Sequence, residues 1–590
     1  MQAYEESVSF LGTWGPFQRK VFFLLCLATV PCGYNSLCVI FLLATPTHHC
    51  HIPAHVNLSQ EWIQASIPVQ QVDGKPERSS CSRYELDHLQ NLSAMGASLS
   101  LGQNQNLSIL GESPEVLLSS LKQEGCKDGW TYSTEDYQST VVTEFNLVCN
   151  DQWKQPLTSL VYFLGGLCGC FISGQISDKF GRKPVLLGTI AMIGVYSGAV
   201  AFAPSWPIFI VLFFMLGLGQ LTSYITVFIL GSEILIGPAR VVCSSLCLPF
   251  TFVTATVLLS GTAYVVPNWR HLSLIMTVPS LACVPLCWLL PESPRWLVSR
   301  GRLQEAELLL RSAALENRVE PPHVIFLPAS ARTSIECLDP HSEDNGPCTV
   351  ASASQSLGFW DLLRTRNIRH ITLMLWLIWF SMSVSYYGLA FNMSGLSRNL
   401  FLNYFLVSAV EIPAYVMSWL AARSLPRHLS FISFTLLGAL ALFLIPITVH
   451  SHPALTMFLV LLGKFGILAG IGMLYVYTGE LSPTVIRNTA MSSCAMFSRV
   501  GSCVSPYLLQ LAKFYEFLPW IVVGSLALLS VLLCVFLPET FRQPLPDTIE
   551  QIALAQRFRW PWVSETPPRD NGNSAEEHTT PPEIICTTYL

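Results

Sequence analysis

The chain has 590 residues, of which 51% are hydrophobic and only 12% are charged, whereas about 25% of the residues of a soluble domain are charged. This composition excludes an ordinary soluble enzyme. The net charge of −5 and the lack of a basic tract also exclude a nucleic-acid-binding protein, because nothing would contact the phosphates.

Long apolar segments recur along the chain, each close to the roughly 20 residues that a helix needs to cross a bilayer. They predict an all-α polytopic membrane protein with an N-terminal six-helix half over 21–290 and a C-terminal six-helix half over 368–537. The first span follows Arg19 and Lys20 and has no cleavage pattern, so we interpret it as a retained helix and not a signal peptide. The twelve predicted spans are 21–44, 155–177, 185–204, 206–230, 242–266, 270–290, 368–390, 400–422, 428–448, 454–478, 488–513 and 517–537.

The hydrophilic segments are 1–20, 45–154, 291–367 and 538–590. The turn after the second span is basic, with Lys179, Arg182 and Lys183, and the positive-inside rule therefore places it in the cytoplasm. Both termini and the central loop 291–367 are then cytoplasmic, and 45–154 is a large extracellular loop between helices 1 and 2.

Two features of this loop agree with an outward location. It carries N-x-[ST] sequons at Asn57, Asn91 and Asn106, which we predict to be glycosylated. An oxidising exterior would also let its four cysteines form two disulfides, in one of three pairings that the sequence does not distinguish. These cysteines are Cys50, Cys81, Cys126 and Cys149.

An internal repeat relates the two halves. Glu233 and Glu480, near the ends of spans four and ten, lie 247 residues apart, and each is followed seven residues later by an arginine, Arg240 or Arg487. The motifs PESPR at 291–295 and PETFR at 538–542 are separated by the same 247 residues. Two matches at one offset predict a six-helix unit used twice, which is the layout of major facilitator transporters.

Three charged residues, Glu411, Lys464 and Arg499, fall inside predicted spans of the second half, each at a depth of roughly 15 Å. Charges at such depths are costly and typical of functional sites. Glu411 and Lys464 could neutralise each other, which would leave Arg499 to bind a carboxylate on a ligand. In the alternative, Arg499 pairs with Glu411 and only fixes helix packing.

Aromatic residues on three spans could complete a binding site, because desolvated rings attract quaternary ammonium groups by cation–π interaction. An arginine together with such rings would suit a zwitterion; in the alternative, each ring only packs or lies at the membrane interface. The candidates are Tyr387 and Tyr477 first, then Tyr224, Phe228, Tyr386 and Tyr475.

Charged residues also cluster at the predicted cytoplasmic ends of the spans. Salt bridges among them could close this face in one state and break in another, so we predict a cytoplasmic gate; the alternative is an ordinary surface network. The residues are Asp178, Arg182, Glu233, Arg240, Glu480 and Arg487.

Residues 174–183 (GQISDKFGRK) resemble the signature of the major facilitator superfamily, and 291–297 (PESPRWL) and 475–484 (YVYTGELSPT) resemble its organic-ion solute carriers. The organic cation/carnitine transporter branch is the most similar, on the evidence of 10–19 (FLGTWGPFQR), 128–130 (DGW), 145–149 (FNLVC) and 544–550 (PLPDTIE). The similarity covers about Tyr4 to Glu550.

The resemblance implies a plasma-membrane carrier of carnitine-like zwitterions and organic cations, sodium-coupled in some members. Arg499 matches the arginine of this branch, where purely cationic relatives have Asp. The chain has Cys32, Ser223 and Asn392 where the branch usually has Asn, Asn and Asp. Because sodium prefers hard oxygen ligands, these changes put sodium coupling in question.

The sequence therefore predicts a monomeric secondary transporter in the lipid bilayer that works by alternating access, with sodium left open as a co-substrate. The alternatives are a sodium-independent organic cation facilitator or exchanger, and a receptor or scaffold that does not transport. No nucleophile elbow, metal-ligand pair or phosphate-binding loop occurs, so we expect no enzymatic activity, cofactor or metal site. Thr588 and Leu590 in the tail match the pattern that PDZ domains bind.

Overall fold

The computed structural model describes residues 8–56, 58–72, 75–94, 121–322, 325, 362–363, 366–395, 400–449, 451–483, 487–512 and 514–541. A helical segment lies at each predicted span. The segments are α1 Pro16–Ser36, α2 Lys154–Phe180, α3 Arg182–Val200, α4 Trp206–Ile234, α5 Leu248–Val265, α6 Trp269–Trp288, α7 Arg366–Phe391, α8 Leu400–Ala409 with Glu411–Ser424, α9 Arg427–Thr448, α10 Pro453–Leu481, α11 Arg487–Val504 and α12 Leu518–Val535.

Within the described residues, ten helices are long and apolar enough to cross a membrane. The two predicted spans outside this set are α6 and α11. Helix α11 is rich in serine and carries two arginines, and it packs against α2 of the other half. The helical membrane fold is confirmed, and the number of twelve spans stays a prediction.

The helices form two halves with the same internal packing. In the first half α3 packs on α4 and α6, and α1 packs on α5; in the second half α9 packs on α10 and α12, and α7 packs on α11. The halves meet where α2 contacts α11 and α5 contacts α8. In the six-helix repeat α2 corresponds to α8 and α5 corresponds to α11, so the two contacts are equivalent. A pseudo-twofold relation between the halves requires this equivalence.

Proline residues interrupt two of the predicted spans. Pro413 lacks an N–H group and its ring crowds the carbonyl of Ala409, so α8 breaks directly before Glu411. Helix α11 ends at Val504 rather than at the predicted 513, because Pro506 lies in the 3₁₀ turn that follows.

The described residues between 45 and 154 form a small disulfide-linked unit on one end of the bundle, here called the loop end. Its strands are β1 His48–Cys50, β2 Val69–Val72, β3 Lys75–Arg78, β4 Ser82–Tyr84, β5 Gln123–Gly125 and β6 Trp130–Tyr132, with short helices at Gln60–Ala65, Leu86–Ala94 and Val141–Glu144. They pair antiparallel as β1 with β6, β2 with β3 and β4 with β5.

The four predicted cysteines form two disulfides, Cys50–Cys126 and Cys81–Cys149. The structure thus selects one of the three pairings that the sequence left open. The buried Arg83 lies between the strands, where it pairs with Glu124 at 3.0 Å and Asp128 at 2.6 Å. Of the three sequons, Asn91 is exposed on the helix Leu86–Ala94, and Asn57 and Asn106 lie outside the described residues.

The loop unit is attached to the bundle at the start of α6. Glu144 accepts hydrogen bonds from Trp269 Nε1 at 2.8 Å and from Arg270 Nε at 3.1 Å. Although burial acts to raise the pKa of Glu144, the hydrogen bonds from Arg270 and Trp269 hold that pKa below its usual value. The opposite end of the bundle carries the short helices Pro294–Ser299 and Leu303–Asn317.

Close helix contacts within each half depend on glycine. A Cβ atom on Gly165 of α2 would lie 2.2 Å from Phe214 O of α4, and one on Gly466 of α10 would lie 2.6 Å from Phe434 O of α9. Gly174 and Gly479, in the same two helices, have no atom within 4 Å of such a Cβ. Alanine substitutions at Gly174 and Gly479 therefore serve as controls for substitutions at the close contacts.

We expect Gly165→Ala to destabilise the protein by about 1–3 kcal/mol through overpacking against a rigid backbone. Gly174→Ala should be neutral or slightly stabilising, because alanine is the better helix former. Thermal unfolding of the detergent-purified variants measures the difference. Equal midpoints for both variants would contradict the close α2–α4 contact, and the pair Gly466→Ala and Gly479→Ala repeats the test in the second half.

Candidate functional site

The ion pair between Glu411 of α8 and Lys464 of α10 lies deep within the second half. Lys464 Nζ is 3.0 Å from Glu411 Oε1, and the two side chains are only 1% and 3% exposed. Tyr386 of α7 completes this cluster: its hydroxyl donates to Glu411 Oε1 at 2.7 Å, and its ring centroid is 3.3 Å from Lys464 Nζ. Each charge therefore has a partner within its own half.

Arg499 of α11 has no acidic partner among the described residues. Its Nη1 donates to the Tyr387 hydroxyl at 3.3 Å, and its buried Nε lacks a hydrogen-bond partner. The sequence alternative in which Arg499 pairs with Glu411 does not occur in this structure, because Lys464 and Tyr386 occupy that carboxylate. Arg499 is thus a cation with unused hydrogen-bonding capacity.

Residues of both halves surround Arg499. Helix α11, which carries Arg499, packs against α2, and Tyr387, the hydrogen-bond partner of Arg499, contacts Phe163 of α2 with ring centroids 5.0 Å apart. Cys170 of α2, Tyr224 of α4 and Tyr475 of α10 lie within electrostatic range of the guanidinium. The site therefore lies at the interface between the halves. Tyr415 of α8 lies within electrostatic range of Tyr224, Tyr475 and Glu411.

Two of the predicted aromatic residues are exposed even though they lie on central helices. Tyr475 is 47% exposed and Phe228 is 42% exposed. They are 247 residues apart, so they occupy equivalent positions in α10 and α4. Each is six residues from the end of its helix at the opposite end, so both lie nearer to that end than to the loop end.

Two of the predicted aromatic residues lie elsewhere. Tyr477 is fully buried, and its hydroxyl donates to Pro538 O at 2.6 Å beyond the end of α12. Residues two apart on a helix are about 200° apart around its axis, so Tyr475 and Tyr477 do not share a face. Tyr386 belongs to the Glu411–Lys464 cluster, although its ring contacts Tyr387 edge-on with centroids 5.0 Å apart.

Aromatic residues close the space between the halves at the loop end. Phe401 of α8 stacks on Phe41 at 6.2 Å and contacts Tyr264 of α5 at 5.7 Å and Tyr137 of the loop unit at 5.2 Å. Below this layer, Phe163 of α2 contacts Tyr387 at 5.0 Å. Sequence reasoning missed this cluster because its members come from four separate segments.

The predicted gate residues at the opposite end form ion pairs within each half. Arg182 of α3 contacts Asp178 at 2.5 Å and Glu233 at 3.0 Å. In the second half, Glu480 pairs with Arg427 at 2.9 Å. These bonds join helices of the same half, so in this structure they do not bridge the two halves across that face.

Arg427 was not among the predicted gate residues, although it follows Pro426 at the start of α9 much as Arg182 follows Gly181 at the start of α3. The 247-residue offset leads from Arg182 to Leu429, two residues beyond Arg427, so a search that allowed a two-residue shift in the repeat could have found it. The two predicted arginines, Arg240 and Arg487, each donate Nε to a backbone carbonyl, Leu235 O at 2.9 Å and Ser482 O at 3.3 Å.

Two further glutamates complete this arrangement. Glu292 accepts hydrogen bonds from the backbone N–H groups of Arg182 at 2.9 Å and Lys183 at 3.2 Å. Glu539 accepts in the same way from Arg427 at 3.0 Å and His428 at 3.1 Å. A carboxylate at a helix N-terminus satisfies free N–H groups and the helix dipole, which explains why both repeat motifs contain glutamate.

The three positions that depart from the branch pattern lie in the described residues. Cys32 and Ser223 are fully buried, and Ser223 Oγ has no hydrogen-bond partner. The amide nitrogen of Asn392 donates to Gly388 O at 2.9 Å. The tail residues Thr588 and Leu590 lie outside the described residues, so the PDZ-type interaction stays a prediction.

Comparison with known proteins identifies the family. A family model described as "Sugar (and other) transporter" matches residues 119–551. Organic cation/carnitine transporter 2 of Rattus norvegicus is 41% identical over 576 residues, which cover 98% of each chain. Solute carrier family 22 member 4 of Mus musculus is 42% identical over 95% of this chain and 96% of its own.

Among solved structures, the inward open xylose transporter XylE from E. coli matches with a TM-score of 0.57 at 14% identity, covering 92% of this chain and 100% of its own. At this identity the match shows the fold alone. The family model and the relatives confirm a transporter rather than an enzyme. The chain belongs to the sugar (and other) transporter family, within the major facilitator superfamily, and to its organic cation/carnitine transporter branch.

Proposed function

We propose that the protein carries carnitine-like zwitterions and organic cations across the plasma membrane, with Arg499 binding the carboxylate of the zwitterion. The observation that carries this proposal is the Arg499 guanidinium, which has no acidic partner among the described residues and a free Nε. A carboxylate can accept two hydrogen bonds from such a fork. The names of the relatives, which include organic cation/carnitine transporters, support the substrate class.

The trimethylammonium group would be bound by the aromatic residues around Arg499. Tyr387 hydrogen-bonds the arginine, and Tyr224 and Tyr475, which belong to opposite halves, lie within electrostatic range of it. Phe228 follows Tyr224 by about one turn of α4 and would extend the aromatic surface toward the opposite end of the bundle. Rings of this kind attract a quaternary ammonium group without hydrogen bonds, so a substrate that lacks the carboxylate could still bind.

Transport would proceed by alternating access, with the loop end extracellular and both termini cytoplasmic. The contact of Phe401 with Phe41, Tyr264 and Tyr137 closes the loop end, while Tyr475 and Phe228 are exposed toward the other end. This combination supports an inward-facing state. The Arg182–Glu233 and Arg427–Glu480 pairs would keep each half rigid while the halves rock about the site.

A sodium-independent mode is favoured by one observation. Cys32 provides a thiol where the branch usually has an amide oxygen. Asn392 lacks the negative charge of the usual Asp, and its side-chain nitrogen is already hydrogen-bonded to Gly388 O. These positions offer fewer hard oxygen ligands to a sodium ion. Sodium-independent facilitation or exchange is therefore the second candidate.

Uptake of labelled carnitine into cells that express the protein tests the proposal directly. Arg499→Gln should lower the apparent affinity for carnitine by about 10- to 100-fold, because a hydrogen bond to a charged group contributes about 1.5–3 kcal/mol. Uptake of tetraethylammonium, which has no carboxylate, should be retained. Arg423→Gln is the matched control, since Arg423 is exposed and stacks on Trp419 at the end of α8.

Absence of carnitine uptake by the wild type, with tetraethylammonium uptake intact, would refute the zwitterion assignment. Absence of uptake of both compounds by protein at the cell surface would instead favour the receptor or scaffold.

The aromatic contribution is tested at Tyr387. Tyr387→Ala should raise the KM for tetraethylammonium by roughly 10- to 30-fold, since a desolvated cation–π contact contributes about 2 kcal/mol, whereas Tyr387→Phe should leave it within about threefold. Tyr477→Phe is the control: loss of its bond to Pro538 O should lower the thermal unfolding midpoint without changing KM. A change in KM at Tyr477 and none at Tyr387→Ala would reverse the assignment.

Replacement of external sodium by isosmotic sucrose tests the coupling. The altered ligands at Cys32, Ser223 and Asn392 predict that carnitine uptake falls by less than about twofold. A loss of tenfold or more would show coupling and require sodium ligands at other positions.

A further inference from the structure

The buried cluster of Glu411, Lys464 and Tyr386 is not explained by packing alone. A buried ion pair is often no more stabilising than hydrophobic residues of the same size, and charges within a membrane protein are typical of functional positions. Yet both charges are almost fully buried, Glu411 on α8, which contacts α5 of the first half, and Lys464 on α10. They therefore act on a substrate only through their neighbours or their field.

A continuous chain of contacts leads from this ion pair to Arg499. The Tyr386 hydroxyl donates to Glu411, its ring lies against Lys464, and its edge-to-face neighbour is Tyr387. The Tyr387 hydroxyl accepts from Arg499 Nη1. Tyr386 and Tyr387 are consecutive on α7. Because the ion pair holds Tyr386 in place, it also fixes the rotation of α7 about its axis and thereby the position of Tyr387 beside Arg499.

The ion pair also determines the charge that a substrate meets. With Glu411 neutralised by Lys464, the site carries the single positive charge of Arg499. Without Lys464, the carboxylate of Glu411 would be left uncompensated in a region of low dielectric, where it would repel a substrate carboxylate and attract a cation. Without Glu411, the site would carry two positive charges and would repel cations.

We propose that Lys464 and Glu411 determine substrate specificity by holding the site at one net positive charge, while Tyr386 acts as a positioning residue that couples this pair to Tyr387 and Arg499. The proposal rests on the proposed transport function and deepens it. It assigns the preference for a carboxylate-bearing cation to the balance of three charges rather than to Arg499 alone.

The experiment compares the KM values of carnitine and tetraethylammonium in four proteins: the wild type, Lys464→Met, Glu411→Gln and the double variant. Lys464→Met should raise the KM of carnitine roughly tenfold and leave that of tetraethylammonium unchanged or lower. Glu411→Gln should do the reverse. The double variant restores the net charge, so its ratio of the two KM values should return to within about threefold of the wild type.

A purely structural role makes a different prediction. Both substrates would then lose affinity or maximal rate together in each single variant, and the double variant would not recover the ratio; either result overturns the proposal. Lys464→Arg retains the charge and should keep the wild-type ratio. KM does not depend on the amount of protein at the cell surface. If Lys464→Met does not reach the cell surface, Glu411→Gln alone tests the proposal. Equal changes in the KM values of both substrates in Glu411→Gln would then overturn it.

The positioning role of Tyr386 has its own readout. Tyr386→Phe should raise the KM of both substrates by a similar small factor, about two- to fivefold, without changing their ratio; a changed ratio would overturn the positioning role. A wild type that takes up neither compound would contradict the proposed function. This inference fails if the wild type transports and the single variants keep a ratio of carnitine KM to tetraethylammonium KM within about twofold of the wild-type ratio.

Discussion

A guanidinium that has no counter-ion among the described residues, held between two helical halves, is the constraint on which the rest of the structure depends. Burying a charge is costly unless it is paired and hydrogen-bonded, and within the described part of the chain the Arg499 side chain has the Tyr387 hydroxyl as its hydrogen-bond partner. The other two charged side chains inside the predicted spans of the second half do not pair with Arg499, because Lys464 and Tyr386 occupy the Glu411 carboxylate. Arg499 is thereby kept available for an anionic group.

The repeat gives the two halves matching sets of contacts that would let each move as a unit in the proposed transport cycle. Each half has a carboxylate, Glu292 or Glu539, that caps the third helix of its repeat, and an arginine at that helix start paired with the glutamate near the end of the fourth. The exposed aromatic residues Phe228 and Tyr475 are likewise equivalent. The repeat does not extend to the charges of the site, because Phe252 stands 247 residues before Arg499. The contacts within each half are thus symmetric, whereas the charged residues of the proposed binding site lie in the second half.

Much of the fold followed from the sequence because membrane spans and repeats are periodic and long. The positions of the helices, the repeat and the two disulfide-bonded pairs of cysteines required only hydropathy, an offset and an oxidising compartment. Helix breaks at Val410 and after Val504 were missed, although Pro413 and Pro506 mark them. The disulfide pairing depends on the register of strand residues 39 to 84 positions apart in the chain, for which the chain has no local signal.

The site was predictable where charge was the signal and less so where packing decides. Arg499, Glu411 and Lys464 stand out in apolar segments, and the pairing of the last two followed from their depth. Tyr477 was wrongly grouped with Tyr475, since helical periodicity separates them, and Tyr415 could have been found one turn after Glu411. The Phe41–Phe401 contact joins distant segments and needed the tertiary structure.

The proposed contact between Arg499 and the carboxylate of a zwitterion is tested by changing the carboxylate and the arginine together. Carnitine and carnitine methyl ester, which lacks the negative charge, are compared as inhibitors of tetraethylammonium uptake in the wild type and in Arg499→Gln. If Arg499 binds the carboxylate, the ester binds about 10- to 100-fold more weakly than carnitine to the wild type and about equally to the variant, a coupling that a double-mutant cycle isolates. An equal preference for carnitine in both proteins would show that Arg499 does not bind the carboxylate.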